Sequence, residues 1–364
     1  MKIRSVGVEE ELLLVETAGH RPAPVAEEVV ARSPRDGGNP LVEHELKREQ
    51  VEIGSAATTS MADLHADLVR LRRAAAEAAT AHGSTVVAIA TSPERGEPST
   101  TPDPRYERLT VEYGLLARQL LACGQHVHVD VSSRAEGVGV LDRLRGWLPV
   151  LTALSANSPY WQDEDTGYQS FRSVLWGRWP TAGPTEVFGT EAGYDAVVGE
   201  LLESGTLLDD GMVYFDARLS AHYPTVEIRV ADVCTDVRDA VLVAALARAL
   251  VDTAAAWWQA GEPVPELRTV LLRASAWRAA RSGLAGELVD PRTGKPMPAW
   301  QLVGDLVELI TPALRRAGDE QLVAEGLARL REQGTGADRQ RAAFAERNSL
   351  TDVVADAAAR TLQG

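Results

Sequence analysis

Apolar and polar positions alternate with different periods along this chain, and each change of period marks an element. Residues 6–15 are a short β-prone run interrupted by Glu9, Glu10 and Glu11, and they read as an opening strand. Residues 21–40 hold Pro22, Pro24, Pro34, Gly37, Gly38 and Pro40, which makes them a connecting loop with room for a short helix over 27–31. Residues 41–55 give two short strands turning near 47–49. Ser60 opens a helix, with Asp63 three residues on and Leu64, Leu68 and Leu71 at helical spacing, and Gly83 ends it. A strand over 85–90, a helix over 106–121, a strand over 125–131 and a helix over 141–156 follow. Residues 157–189 form a loop rich in Trp, Gly and Pro. After it come a helix near 194–202 and strands at 212–219 and 225–230.

From Asp236 the pattern is helical, with breaks at 261–265, 290–298 and 334–336. Strands scattered through the first two-thirds, joined by hairpins as well as helices, predict an α+β fold. Its sheet is antiparallel or mixed, with helices packed on it and a helical C-terminal portion. The regular β–α alternation of a doubly wound nucleotide fold is missing. One catalytic unit is expected over residues 1–364, of which 236–364 is the mostly helical part.

The strand assignments give the polar residues a direction. Side chains alternate across a strand, so Glu9 and Glu11 share one face and Glu10 takes the other. Two carboxylates on one face, roughly 6.5–7 Å apart along the strand, repel each other unless a cation sits between them; a solvent-exposed edge is the simpler alternative. Glu43, Glu45, Glu49 and Glu52 lie in EHELKREQVEIGS (43–55), and Glu52 projects away from its neighbours Val51 and Ile53. In HVHVDV (126–131), His126, His128 and Asp130 share a face and the three valines take the other. A satisfied His pair and contact with a metal or phosphate both fit that pattern. Glu227 and Arg229 share a face in TVEIRVAD (225–232). They make either a salt bridge or a metal ligand beside a guanidinium fork for phosphate oxygens.

If these strands share a sheet, one of its faces is a polyacidic cavity that needs cations. Hard oxygen ligands suit Mg²⁺ or Mn²⁺, and Mn²⁺ also accepts imidazole. Mg²⁺ in turn points to a nucleoside triphosphate. No GxxxxGK[ST] loop is present, and Gly137 and Gly139 lack the third glycine of a dinucleotide fingerprint, so metals and arginines would have to grip the phosphates.

Charge and composition narrow the classes further. The 364 residues carry 52 Asp plus Glu against 37 Lys plus Arg, a net charge of −15, which argues against nucleic acid as the main partner. Cys123 and Cys234 can form neither a disulfide framework nor a paired CxxC metal site, and they read as packing residues. The first 16 residues are charged from the ninth onward and are not expected to act as a signal peptide. The most apolar stretch, 240–258, contains Arg248 and Asp252 and reads as a buried helix, not a membrane span. The expectation is a cytoplasmic enzyme with no membrane partner.

Several motifs, in order, resemble the type 2 glutamate–cysteine ligase family, within it the bacterial ATP-dependent carboxylate–amine ligases. They are GVEEE (7–11), QVEIGS (50–55), GQHVHVDV (124–131), YQSFRSVLWGRWPTAGPTEVFG (168–189), PTVEIRVADV (224–233) and WRAARSGL (277–284). The resemblance implies a glutamine-synthetase-like fold: a curved, mainly antiparallel sheet of about six strands with helices on its outer face, binding ATP and Mg²⁺ in its concavity. It assigns metal ligation to Glu9, Glu11, Glu52, His128 and Glu227, and to Glu45 by spacing. Arg229 matches the arginine on the transferred phosphate, so Glu227 and Arg229 are the catalytic pair. Arg172 and Arg281 are the candidates for binding substrate anions, and His126 takes a structural role. Asp130 departs from the family, where many members have glycine.

The implied reaction joins an amino-acid carboxylate, glutamate's γ-carboxylate above all, to cysteine or another amine through an acyl phosphate. The partners are then small amino-acid and amine substrates, with a homodimer expected by resemblance. Two alternatives stand beside it. One is a metal-dependent hydrolase built on His126 and His128, and the other is an acidic cation-binding surface without turnover.

Overall fold

The computed structural model describes residues 2–36 and 39–363; Gly37 and Gly38 of the expected loop lie outside the described residues. Its centre is an antiparallel sheet of seven strands among the described residues. They are β1 (Val6–Glu16), β2 (Glu43–His44), β3 (Gln50–Gly54), β4 (Ser84–Val87), β5 (Gly124–Asp130), β6 (Ala217–Leu219) and β7 (Thr225–Asp232). The order is β6-β7-β5-β1-β3-β2, with β4 pairing the far half of β1 through Leu13–Glu16. At 11 residues β1 is long enough to pair with three strands, so it forms the spine of the sheet.

The back of the sheet is covered by the helices Met61–Thr80 and Val237–Gln259. Glu10 points to this side, as its parity requires. It is fully buried and held by both arms of Arg72 at 2.7 Å, and the same guanidinium reaches the carbonyls of Cys234 and Thr235. A buried carboxylate is tolerated only with such complete pairing. Gln125, on the same side of β5, donates to the carbonyl of Ala240 at 3.0 Å. Val237–Gln259 is the helix among the described residues that is long and apolar enough to cross a membrane. With 83% of its apolar window buried against the protein, it is a core helix, as expected.

Several elements differ from the sequence expectation for local reasons. The helix expected over 106–121 starts at Pro104 behind the Asp103 cap and breaks at Gly114 (φ +56°), giving Pro104–Tyr113 and Leu115–Gln119. The helix expected over 141–156 is two, Arg134–Leu144 and Leu148–Ser155. They are separated near Gly146, where a Cβ would come within 2.7 Å of Leu267 and Pro291. The strand expected over 212–219 shrinks to Ala217–Leu219, because Asp210–Met212 forms a 3-10 turn. The break at 290–298 belongs to a hairpin of Glu287–Val289 with Pro296–Pro298. Within the expected loop at 157–189 lies the short helix Phe171–Trp176, which turns Arg172 and Trp176 toward the front of the sheet.

Candidate active site

The register of the sheet brings distant stretches together on its front face. Glu9 of β1 lies opposite His126 of β5, and Gly7 lies opposite His128. Glu11 of β1 lies opposite Glu52 of β3. Across β7 and β6, Glu227 pairs with His128 and Arg218 pairs with Glu227. Directly opposite residues on antiparallel strands share a face, so these groups form adjoining rows over one surface. A bulge in β7 between Ile228 and Ala231 lies beside Arg229.

A cavity of about 210 Å³ opens over these rows, lined by Glu9, Glu11, Glu45, Glu52, His126 and Arg229, with Arg105, Tyr106, Trp176, Tyr214 and Arg218 among its walls. Glu9 reaches both histidines: its Oε2 is 3.4 Å from His126 Nδ1 and its Oε1 is 3.2 Å from His128 Nε2. Glu11 Oε2 accepts the backbone N–H of Gly124 at 2.5 Å. Glu227 is buried between two guanidiniums, Arg218 at 2.7 Å and Arg229 in contact. His128 Nδ1 lies 3.1 Å from the Thr225 hydroxyl, an arrangement that fixes the ring with Nε2 toward Glu9.

The electrostatics of the cavity are set by several carboxylates crowded on one face. Burial alone would raise the Glu9 carboxyl, but hydrogen bonds from His126 and His128 hold it well below the usual range. Glu227 is likewise held low, against the penalty of burial, by Arg229 and Arg218. Burial and the charge of Glu11 push Glu45 up to about 7. Glu52 is raised well above its ordinary value by burial and by Glu45, Glu9 and Glu11. Burial and Arg229 lower the pKa of His126, which favours the neutral ring that a metal requires. The Nε2 atom of His126 is buried without a hydrogen-bond partner among the described residues. Ligand atoms of Glu9, His126 and Glu227 lie within 4.8 Å of one another. An orphaned imidazole nitrogen beside carboxylates that resist joint ionisation is a donor set that fits a hard divalent ion.

A stability prediction follows from the raised Glu45. The folded state keeps a proton that the unfolded chain releases above pH 4.5, so the protein loses stability as pH rises from about 4.5 to about 7. In chelator-treated protein, Glu45→Gln should therefore have the wild-type melting temperature near pH 4.5. It should melt about 2–4 °C higher at pH 8, and millimolar Mg²⁺ should remove that advantage. A pH-independent difference in thermal melts would contradict this electrostatic account.

Next to the acidic cavity, sharing Trp176, Tyr214 and Arg229 with it, is a second cavity of about 380 Å³ that contains Arg172, Asp216, Arg273 and Trp277. Arg172 is buried, stacks 5.6 Å from the Trp176 ring and leaves its Nε without a partner. A Cβ on Gly124 would sit 2.1 Å from Arg172 Nη2, so this guanidinium lies where only glycine leaves room. A third cavity of about 300 Å³ holds His128, Glu227, Arg134, Arg218, Tyr194 and Tyr223, and it shares Glu9 and Arg218 with the first.

The structure thus gathers Glu9, Glu11, Glu45, Glu52, His128, Glu227, Arg229 and Arg172 around connected cavities. It does not bring Arg281 there. That side chain is exposed, donates to the Gly167 carbonyl and lies over the Tyr168 ring, while Arg273, roughly two turns earlier on the same helix, lines the cavity. His126, for which the sequence gives a structural role, places a ring nitrogen within 4.8 Å of ligand atoms of both Glu9 and Glu227. Arg218 and Asp216 belong to no motif; the β6–β7 pairing sets Arg218 against Glu227, and backbone bonds to Gly183 and Arg229 place Asp216. Asp130 closes β5, paired with Thr225.

Comparison with known proteins bears on this geometry. The sequence model of glutamate–cysteine ligase family 2 matches residues 5–356. A Frankia alni chain provisionally named glutamate–cysteine ligase 2-2 is 55% identical over 97% of this chain and 95% of its own length. A Streptomyces coelicolor chain, provisionally named glutamate–cysteine ligase 2, is 51% identical over 99% of both. Among solved structures, a glutamate–cysteine ligase of Francisella tularensis in complex with AMP superposes with a TM-score of 0.69 at 11% identity, covering 100% of this chain and 90% of that one. A bifunctional glutathione synthetase of Pasteurella multocida gives 0.68 at 16% identity; this chain is covered over 99% and spans about half (52%) of that protein. At such identities the likeness is one of fold, and it is the glutamine-synthetase-like fold that the motifs implied. Nothing in these comparisons supports the hydrolase alternative. The chain belongs to glutamate–cysteine ligase family 2, a family of ATP-dependent amide-forming ligases.

Proposed function

We propose that this chain couples ATP cleavage to amide formation between the side-chain carboxylate of glutamate and an amine, with cysteine as the default amine. The observation that carries the reading is the meeting of an acidic, imidazole-bearing cavity and an arginine-lined one at Arg229. Glu9, Glu11, Glu45, Glu52, His128 and Glu227, with His126 beside them, would hold Mg²⁺ or Mn²⁺. Such ions supply positive charge to the crowded triphosphate oxygens.

The chain's own side chains do the rest. The cavity with Arg172 fits the acid substrate, and the cavity with His128, Arg134 and Tyr223 fits the nucleotide. A substrate carboxylate oxygen attacks the γ-phosphorus, ADP departs, and an acyl phosphate results. Arg229, between the two cavities, stabilises the charge on the moving phosphoryl group. The amine then attacks the acyl carbon and inorganic phosphate leaves. Positioning and electrostatics carry such a reaction, and no nucleophilic side chain is needed. The buried thiols Cys123 and Cys234, raised by burial, stay outside it. The helices after Asp236 act as part of the same catalytic unit, since Val237–Gln259 backs the strands that bear the site.

A phosphate-release screen with ATP, Mg²⁺ and a matrix of amino acids and amines, read out by mass spectrometry of the product, tests the reading. Glutamate with cysteine should give a γ-glutamyl amide. No phosphate release with glutamate and any amine would refute it. Arg172→Ala should raise KM for glutamate by about 10–100-fold, the worth of a charged hydrogen bond. KM for ATP should stay within about twofold in that variant; a matching rise in both would remove Arg172 from the acid site.

A further inference from the structure

Asp216 lines the same cavity as Arg172, Arg229 and Arg273, one residue before β6. Its backbone is pinned on both sides: its N–H donates to the Gly183 carbonyl at 3.0 Å, and its carbonyl accepts the Arg229 N–H at 2.9 Å. The carboxyl itself makes no hydrogen bond with any described residue, although the charges of Arg172 and Arg273 act on it. The cavity therefore offers three guanidiniums and one unengaged carboxyl.

We propose that Asp216 receives the α-ammonium of the acid substrate and so restricts that substrate to α-amino dicarboxylates, an inference that rests on the ligase function proposed above. The charges match group for group. Glutamate brings two carboxylates and one ammonium. Its α-carboxylate meets Arg172 deep in the cavity, with Arg273 and Trp277 at the exposed mouth. Its γ-carboxylate extends to Arg229, where the cavity meets the acidic one. A plain dicarboxylate such as glutarate satisfies the arginines and leaves Asp216 facing the ligand without a partner. An unpaired buried polar group is what makes such discrimination large. Burial pushes the Asp216 carboxyl up to about 7 in spite of both arginines, consistent with a group that awaits a cation.

The test is calorimetric binding of L-glutamate, glutarate and N-acetyl-L-glutamate to the intact protein with Mg²⁺ and a non-hydrolysable ATP analogue. Wild type should bind L-glutamate at least about tenfold more tightly than either analogue. Asp216→Asn should reduce the glutamate-to-glutarate ratio to within about threefold, mainly by weakening glutamate; a merely structural lesion would weaken both and keep the ratio. If Asp216→Asn does not fold, the wild-type ratios decide. Equal wild-type affinity for glutamate and glutarate overturns the role of Asp216 and leaves the ligase reading standing. An Asp216→Asn protein with the wild-type ratio does the same. Wild type that binds neither acid, and releases no phosphate with glutamate, overturns both.

Discussion

Glu227→Gln is expected to lower amide-forming turnover by about 10³-fold. The glutamine keeps the shape of Glu227 but not its charge, in a position where the carboxylate lies among Arg218, Arg229, His128 and the ligand atoms of Glu9 and His126. It also offers one acceptor oxygen where two guanidiniums now converge. The variant should therefore lose about 1–3 kcal/mol of stability as well, since a buried arginine is left undercompensated. Steady-state phosphate release, measured below the melting temperature of the variant, separates the two effects. Turnover at the wild-type rate would exclude Glu227 from the chemistry.

Arg229→Lys is expected to slow single-turnover phosphoryl transfer by about 10²-fold. Arg229 is held by contact with Glu227, lies 3.4 Å from His126 Nδ1 and stacks 5.8 Å from the Trp176 ring, and its buried Nε has no partner. A planar fork can keep Glu227 and still present N–H groups to a phosphoryl oxygen. A single ammonium on a flexible stem cannot do both. Rapid-quench measurement of acyl-phosphate-dependent ADP formation checks the expectation, and an unchanged rate would remove Arg229 from the mechanism.

These variants were nameable because a strand's two-residue period exposes which side chains share a face. Glu9 and Glu11 against Glu10, Glu52 against Val51 and Ile53, and His126 with His128 against the valines all follow that rule in the folded chain. Register between strands has no local signature. That Glu9 sits opposite His126, and Glu227 opposite His128, depends on turns and packing hundreds of atoms away. For the same reason the sequence alone sets neither His126 against Glu9 nor Arg218 against Glu227, which the β1–β5 and β6–β7 pairings do. The helix Phe171–Trp176 was hidden in a stretch whose glycines, prolines and tryptophans read as loop. Motif likeness points to Arg281, which lies in WRAARSGL (277–284), and leaves Arg273 outside any motif. The helix Thr269–Ser282 turns Arg273 to the cavity and leaves Arg281 outside.

Anomalous diffraction from crystals grown with Mn²⁺ and a non-hydrolysable ATP analogue addresses the convergence of acidic side chains most directly. The expected result is anomalous peaks in the cavity over β1, β3, β5 and β7, within about 2.3 Å of carboxylate oxygens of Glu9, Glu52 and Glu227 and touching the triphosphate. A nucleotide bound with no metal peak at those carboxylates, or metals bound only elsewhere, would contradict it.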